Sequence, residues 1–274
     1  MGSKILVSVF DSERTAFDGL TALKDLHRDG DITLYASSVN AKDPAGAVSV
    51  RQRADNGPVG TLVGMVTGGL IGLLGGPVGV AVGAYVGGFG GLMYDFFNAG
   101  VNMDFVDEVS VSLTPGKAAV VADVDETWVT PVDTRLAALG GTTFRRFRGE
   151  AVDAELIRET EATRTELEQL RAELRESSGA AKANVEGAID GQRRKLQALV
   201  DRVDTTLAQQ KAEFEARLAT LSEQQAKARA SQRQRIAARM DELKASHETR
   251  KAKLEEARQH AKASIEATRE ALVP

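Results

Sequence analysis

Asp123, Asp125 and Glu126 end a run of apolar residues, and carboxylates at this spacing are hard oxygen ligands suited to a divalent cation. The same trio at a strand end is more often simply solvated, and that is the reading we take. His27, His247 and His260 lie far apart in unlike contexts, so each reads as a solvated or helix-face histidine and not as a metal ligand. Gly116-Lys117 lacks the upstream glycine of a phosphate loop. Gly87-Gly88-Phe89-Gly90-Gly91 sits inside an apolar run where a phosphate loop would follow a strand. Lys227, Arg229, Arg233, Arg235 and Arg239 form a basic stretch with no acid between Glu223 and Asp241. Such a stretch could meet phosphates of lipid or nucleic acid, although a partner helix with acidic flanks, or plain solvation, is the commoner explanation. It has no interleaved aromatic for base stacking, so nucleic acid is not an expected partner. No Ser/His/Asp or paired-carboxylate set assembles. The sequence therefore predicts a protein that is not an enzyme, with no catalytic residues, no cofactor and no metal.

What the chain does carry is a packing device. Gly60, Gly64, Gly68, Gly72 and Gly76 recur at every fourth residue, and after Pro77 the rule restarts at Gly79, Gly83, Gly87 and Gly91. Four residues is close to one helical turn, so each run lays a bare stripe along a helix. Small residues at that spacing let helix backbones approach closely, above all in lipid. No Asp, Glu, Lys or Arg occurs in the 39 residues from Asn56 to Tyr94, in a chain that is 27% charged. Two helices joined at Gly75-Gly76-Pro77 would form a glycine-zipper hairpin over residues 56–99. Each arm, about 16–18 residues, spans roughly 25 Å, a little short of a ~30 Å hydrocarbon core. In a solvated helix each glycine costs up to ~1 kcal/mol relative to alanine, so burial in lipid or between protomers has to offset the sum. Arg51 and Arg53 before the hairpin suit an anionic cytoplasmic surface; Asp95 after it does not.

The flanks read as alternating strands and helices. Lys4–Phe10 is a strand. A helix capped by Asp11 or Ser12 runs to about Arg28, with Phe17, Leu20, Leu23 and Leu26 on one side and Gly30 as its stop. Ile32–Val39 and Ala47–Arg51 are strands joined by a turn at 42–46. After the hairpin come a short helix over Asp104–Leu113, a buried strand over Ala118–Val124, a helix opened by Thr130 or Pro131, and a strand over Thr142–Phe147. The expected fold is α+β: a discontinuous ferredoxin-like domain of residues 1–55 and 100–150, interrupted by the hairpin.

At these residues the chain resembles a bacterial family of unknown function, numbered 1269 and related to glycine-zipper general stress proteins. The resemblance rests on the Lys4–Phe10 strand, the glycine run of 60–91, Asp104-Phe105-Val106 leading into Leu113-Thr114-Pro115-Gly116-Lys117-Ala118-Ala119, and Leu136-Ala137-Ala138-Leu139-Gly140-Gly141 with the strand after it. It covers residues 3–149 and implies a ferredoxin-like domain with a membrane-active hairpin. It implies no catalytic residues.

Residues 151–274 are of another character. Phe214 is their one aromatic, and no proline occurs before Pro274. Leu174, Val185, Leu196, Leu207, Leu218 and Met240 stand on an eleven-residue ladder. Leu199, Leu221, Leu243, Leu254 and Ile265 stand on a second, and Leu170, Val203, Phe214 and Ile236 on a third. Eleven residues in three turns is about 3.67 per turn, a nearly straight apolar stripe. Unbroken, the segment would extend on the order of 180 Å. Ser177-Ser178-Gly179, Gly187 and Gly191 are its expected weak points. The narrow stripe favours coiled-coil packing over an apolipoprotein-like helix lying on lipid.

Cysteine is absent, and the N-terminus lacks the long apolar stretch of a secretory signal. The expected protein is a non-enzymatic, membrane-associated homo-oligomeric scaffold or stress-protection protein at the cytoplasmic face of the cell membrane, assembling through its glycine-zipper hairpins and its C-terminal helices. Its expected partners are its own copies and the lipid bilayer. The alternative is a soluble cytoplasmic particle or filament in which the hairpin is the protomer interface.

Overall fold

A computed structural model describes residues 4–54, 103–147 and 150–271. The glycine hairpin of residues 56–99, with Gly60, Gly64, Gly68, Gly72, Gly76, Gly79, Gly83, Gly87 and Gly91, lies outside the described residues. Five strands form one antiparallel sheet: β1 (Lys4–Phe10), β2 (Ile32–Lys42), β3 (Val48–Ala54), β4 (Ala118–Glu126) and β5 (Thr142–Phe147), in the order β3-β2-β4-β1-β5. The helices are α1 (Glu13–Arg28), α2 (Met103–Ser112), α3 (Thr130–Ala138), α4 (Glu150–Glu176), α5 (Gly179–Lys227) and α6 (Ala230–Ala271).

The chain divides into two units, residues 1–149 with 212–245, and residues 150–211 with 246–274. In the first unit the sheet is covered on both faces, which is why every residue of β1 is buried. Strands buried on both sides lose the apolar–polar alternation of a half-solvated sheet. One face carries Leu6, Phe10, Val120, Ala122 and Val124 against Leu20, Leu23 and Leu26 of α1 and Val132 and Leu136 of α3. The other carries Ile5, Val7, Val9, Ala119 and Val121 against Phe105, Val106 and Val109 of α2. On this same face sit Leu221, Ala228 and Ile236 from the tip of the α5–α6 hairpin.

Local chemistry sets the ends of α1. The Ser12 hydroxyl accepts from the Thr15 N–H, and the Thr15 hydroxyl in turn accepts from the Ser12 N–H, a reciprocal cap of the kind worth about 1 kcal/mol. At the other end Gly30 takes φ +73°, the Gly30 N–H donates to His27 O, and the Asp31 N–H donates to Leu26 O. That left-handed turn closes the helix with two backbone bonds and delivers the chain to β2.

The second unit is a helical bundle. Leu167, Val185, Ile189, Leu196, Val200 and Ala261 form one buried cluster, and Leu156, Leu199, Val203 and Leu254 another. The long helix breaks between Glu176 and Gly179, as Ser177-Ser178-Gly179 predicts, but Gly187 and Gly191 lie inside α5. A further break at residues 228–229 has no glycine or proline to announce it. Asp153 ties three helices: its carboxylate accepts from Gln210 Nε2 at 2.9 and 3.0 Å and from Arg250 Nε at 2.7 Å. Asp153→Ala should lower the stability of this unit by about 1.5–3 kcal/mol, because two donors lose a charged acceptor. Amide exchange in residues 196–203 would show it.

Candidate functional site

The hairpin tip, residues 212–245, meets the sheet through polar groups as much as apolar ones. Asp123 projects from β4, a central strand, and is wholly buried. Arg217 of α5, 3% exposed, donates from Nη2 to the Asp123 carboxylate. Its Nε donates to Glu213 at 2.7 Å, and its guanidinium lies 4.3 Å from the centre of the Tyr35 ring. Tyr35 is the extra residue where the β2–β4 register slips between Leu34 and Ala36. Such a bulge re-aims a side chain, and here it brings Tyr35 to the face that carries Asp123. Burial pushes the Tyr35 phenol well above its ordinary pKa. Burial also raises Asp125, against the pull of Arg239.

A second set of contacts reads the turn between α1 and β2. Gln224 Nε2 donates to His27 O and Ile32 O, both at 2.7 Å, while its Oε1 accepts from the Thr33 hydroxyl at 2.8 Å. Gln232 Nε2 donates to Asp29 O at 2.6 Å. Arg239 Nη2 donates to Asp31 O at 2.6 Å and Gly30 O at 3.2 Å, and Arg235 pairs with the Asp31 carboxylate at 3.0 Å. Five backbone carbonyls of residues 27–32, from the last turn of α1 to the first residue of β2, thus receive side-chain donors from the tip. Burial lowers the Arg239 pKa, with Asp125 opposing.

These positions correct one reading of the sequence and locate the residues of another. Asp123 and Glu126 are not a solvated strand end. β4 is central and both its faces are roofed, so each acid is buried against a cation: Asp123 against Arg217, and Glu126 against Lys4 at 3.3 Å and Arg145 at 2.6 Å. Among the described residues no cluster of His, Asp and Glu suits a metal ion. The basic stretch, for its part, is dispersed. Arg239 is buried under the tip, Arg235 pairs with Asp31 and Lys227 with Glu223, while Arg229 and Arg233 stay exposed at the helix break. The three histidines stay apart: His27 Nδ1 accepts from the Leu34 N–H at 3.2 Å, and His260 faces Glu161 at 3.4 Å. Burial lowers the pKa of His27 and of His247.

Arg217, Gln224 and Gln232 carry most of this interface, and no sequence motif marks them. The one available signal was that Arg217, Gln224 and Arg239 fall on or beside the apolar ladders. Chemically the site can hold two surfaces together and respond to charge. It has no nucleophile with a base beside it.

Among the described residues no helix is long and apolar enough to cross a membrane. No curated protein and no solved structure matches the chain. A family model does match, that of a protein of unknown function (DUF1269), over residues 61–175. The match begins later than the resemblance drawn from the sequence and runs on through most of α4. Over residues 61–175 the match supports the resemblance to the DUF1269 family that the sequence shows.

Proposed function

We propose that the protein is a non-enzymatic, membrane-associated homo-oligomeric scaffold or stress-protection protein that assembles through its glycine hairpin. The observation that carries this is the spacing of nine glycines within 39 uncharged residues. Bare stripes of this kind favour close helix pairing away from water. The head suits such a role. We read β1-α1-β2 and β4-α3-β5 as the two halves of a ferredoxin-like domain, with β3 added at the edge; the strand order β5-β1-β4-β2 supports this. The hairpin would then be an insertion between β3 and α2, both flanks of which belong to one unit. The apolar ladders of α4, α5 and α6 are occupied within one chain, which leaves the hairpin as the main surface for copies.

Fractionation followed by particle sizing tests the reading. The protein should pellet with membranes and leave them only with detergent, as an oligomer. Gly68→Leu and Gly83→Leu, each placing a bulky side chain in a stripe, should reduce both oligomer size and membrane partition. A large particle that stays soluble without detergent would instead support an assembly in which protomers bury the hairpin. A monomer unaffected by either substitution would remove the zipper as an interface.

A further inference from the structure

The tip of the α5–α6 hairpin covers one face of the sheet with an unusual mixture of groups. The tip buries Leu221, Ala228 and Ile236, with Ala216, Met240 and Leu243 partly buried beside them, and adds four polar side chains of its own, Arg217, Gln224, Gln232 and Arg239, that meet Asp123, Thr33 and the backbone of residues 27–32. Interfaces this polar resemble the surfaces between domains that part and rejoin, and buried ion pairs add specificity more than stability. Five of the tip's hydrogen bonds end on backbone carbonyls of residues 27–32. The docking therefore depends on the shape of that one turn.

His27 holds the turn. It sits at the end of α1, and its neutral Nδ1 accepts from the N–H of Leu34, so it bridges the helix end to the first residues of β2. Its own carbonyl is where Gln224 docks. The charged groups facing it are Glu223 and Lys227 of α5 and Arg239 of α6. A proton on Nδ1 would turn the acceptor into a donor aimed at another donor. It would also set a third cation beside Lys227 and Arg239, with Glu223 alone to offset it. We propose that residues 212–245 form a pH-sensitive latch on the sheet, closed while His27 is neutral and released when it becomes charged.

The direction follows from the half-buried, neutral-favouring site. Burial holds the His27 pKa below its ordinary 6.5, with Glu223 opposing and Arg239 and Lys227 reinforcing. The unfolded or undocked chain thus binds the proton more readily, so closure is favoured above about pH 6.5 and weakens as pH falls through the lowered value. Asp125, raised by burial, acts in the opposite sense, since a falling pH relieves its buried charge. His247 shares the sign of His27 but lies in the second unit.

The chain has no cysteine, so two can be introduced for spin labels in the full-length protein, at exposed Lys24 of α1 and exposed Ser222 of α5. Pulsed electron resonance should give one short distance at pH 7.5, with any longer population below about 10%. At pH 5.0 the longer population should dominate while β4 amides stay protected from exchange. His27→Asn, which keeps a neutral acceptor near Nδ1, should abolish the change. Glu223→Gln, an exposed substitution, should move the midpoint to higher pH, because it removes the one group that steadies charged His27 in the docked state. The proposal is overturned by a distance distribution indifferent to pH, by an acid response that survives His27→Asn or keeps its midpoint in Glu223→Gln, or by loss of β4 protection in step with the distance change.

Discussion

Arg217→Ala should cost the first unit about 3–5 kcal/mol, among the largest losses available to a single substitution in this chain. Asp123 is wholly buried in β4, and Arg217 is the cation that pairs with it. Truncation leaves a carboxylate in an interior too poor in water to solvate it, and strips the guanidinium from the face of Tyr35. The loss is a penalty for breaking the pair and does not measure its net worth. Replacing both partners, as Asp123→Leu with Arg217→Met, should recover most of the stability, because the cost of desolvating two charges disappears with them. Amide exchange in β4 through a urea series would read both. A single substitution as mild as an exposed alanine mutation, within about 0.5 kcal/mol, would mean that water reaches Asp123 and that the tip is not seated as described.

The strands and helices of the head were legible because each is bounded by local chemistry. Ser12 caps α1, Gly30 ends it, Gly46 with φ +90° turns β2 into β3, and Pro131 opens α3. What could not be read was a decision made across some two hundred residues of chain: that the tip of a tail helix roofs the sheet. The clue was present in β1 and β4, whose unbroken apolar runs need cover on both faces. The head's own helices α1 and α3 supply one face, and α2 covers only part of the other. The eleven-residue ladders were also real, yet one stripe serves two purposes. Leu196, Leu199, Val203 and Leu254 close the bundle, while Leu221 and Ile236 close the sheet. Periodicity shows that a helix has a buried side, not what buries it. The polar groups escaped for a related reason. Arg217 and Asp123 are 94 residues apart, and nothing local distinguishes them from solvated charges.

Phe10→Ala should destabilise the first unit by about 3–5 kcal/mol, and Gly19→Ala by about 1–3 kcal/mol, yet the two together should cost less than their sum. Phe10 ends β1 with 1% of its surface exposed. A Cβ built on Gly19 would stand 2.5 Å from its Cζ, and one on Gly141 would stand 2.6 Å from its Cε1. The ring is held between two glycines and cannot swing from one without striking the other. Those glycines are small because the ring occupies their side-chain space. Neither can fill the cavity left by Phe10→Ala, so collapse is poor and the cost belongs near the top of its range. With the ring gone, an alanine at position 19 has room, and in a helix interior alanine is worth about 0.5–1 kcal/mol over glycine. Gly19→Ala should therefore change sign, destabilising in the parent and stabilising beside Phe10→Ala. Thermal unfolding of the four proteins gives the coupling directly. If Gly19→Ala costs the same in both backgrounds, the ring does not rest on Gly19, and the close packing of α1 on β1 must be held by the leucines alone.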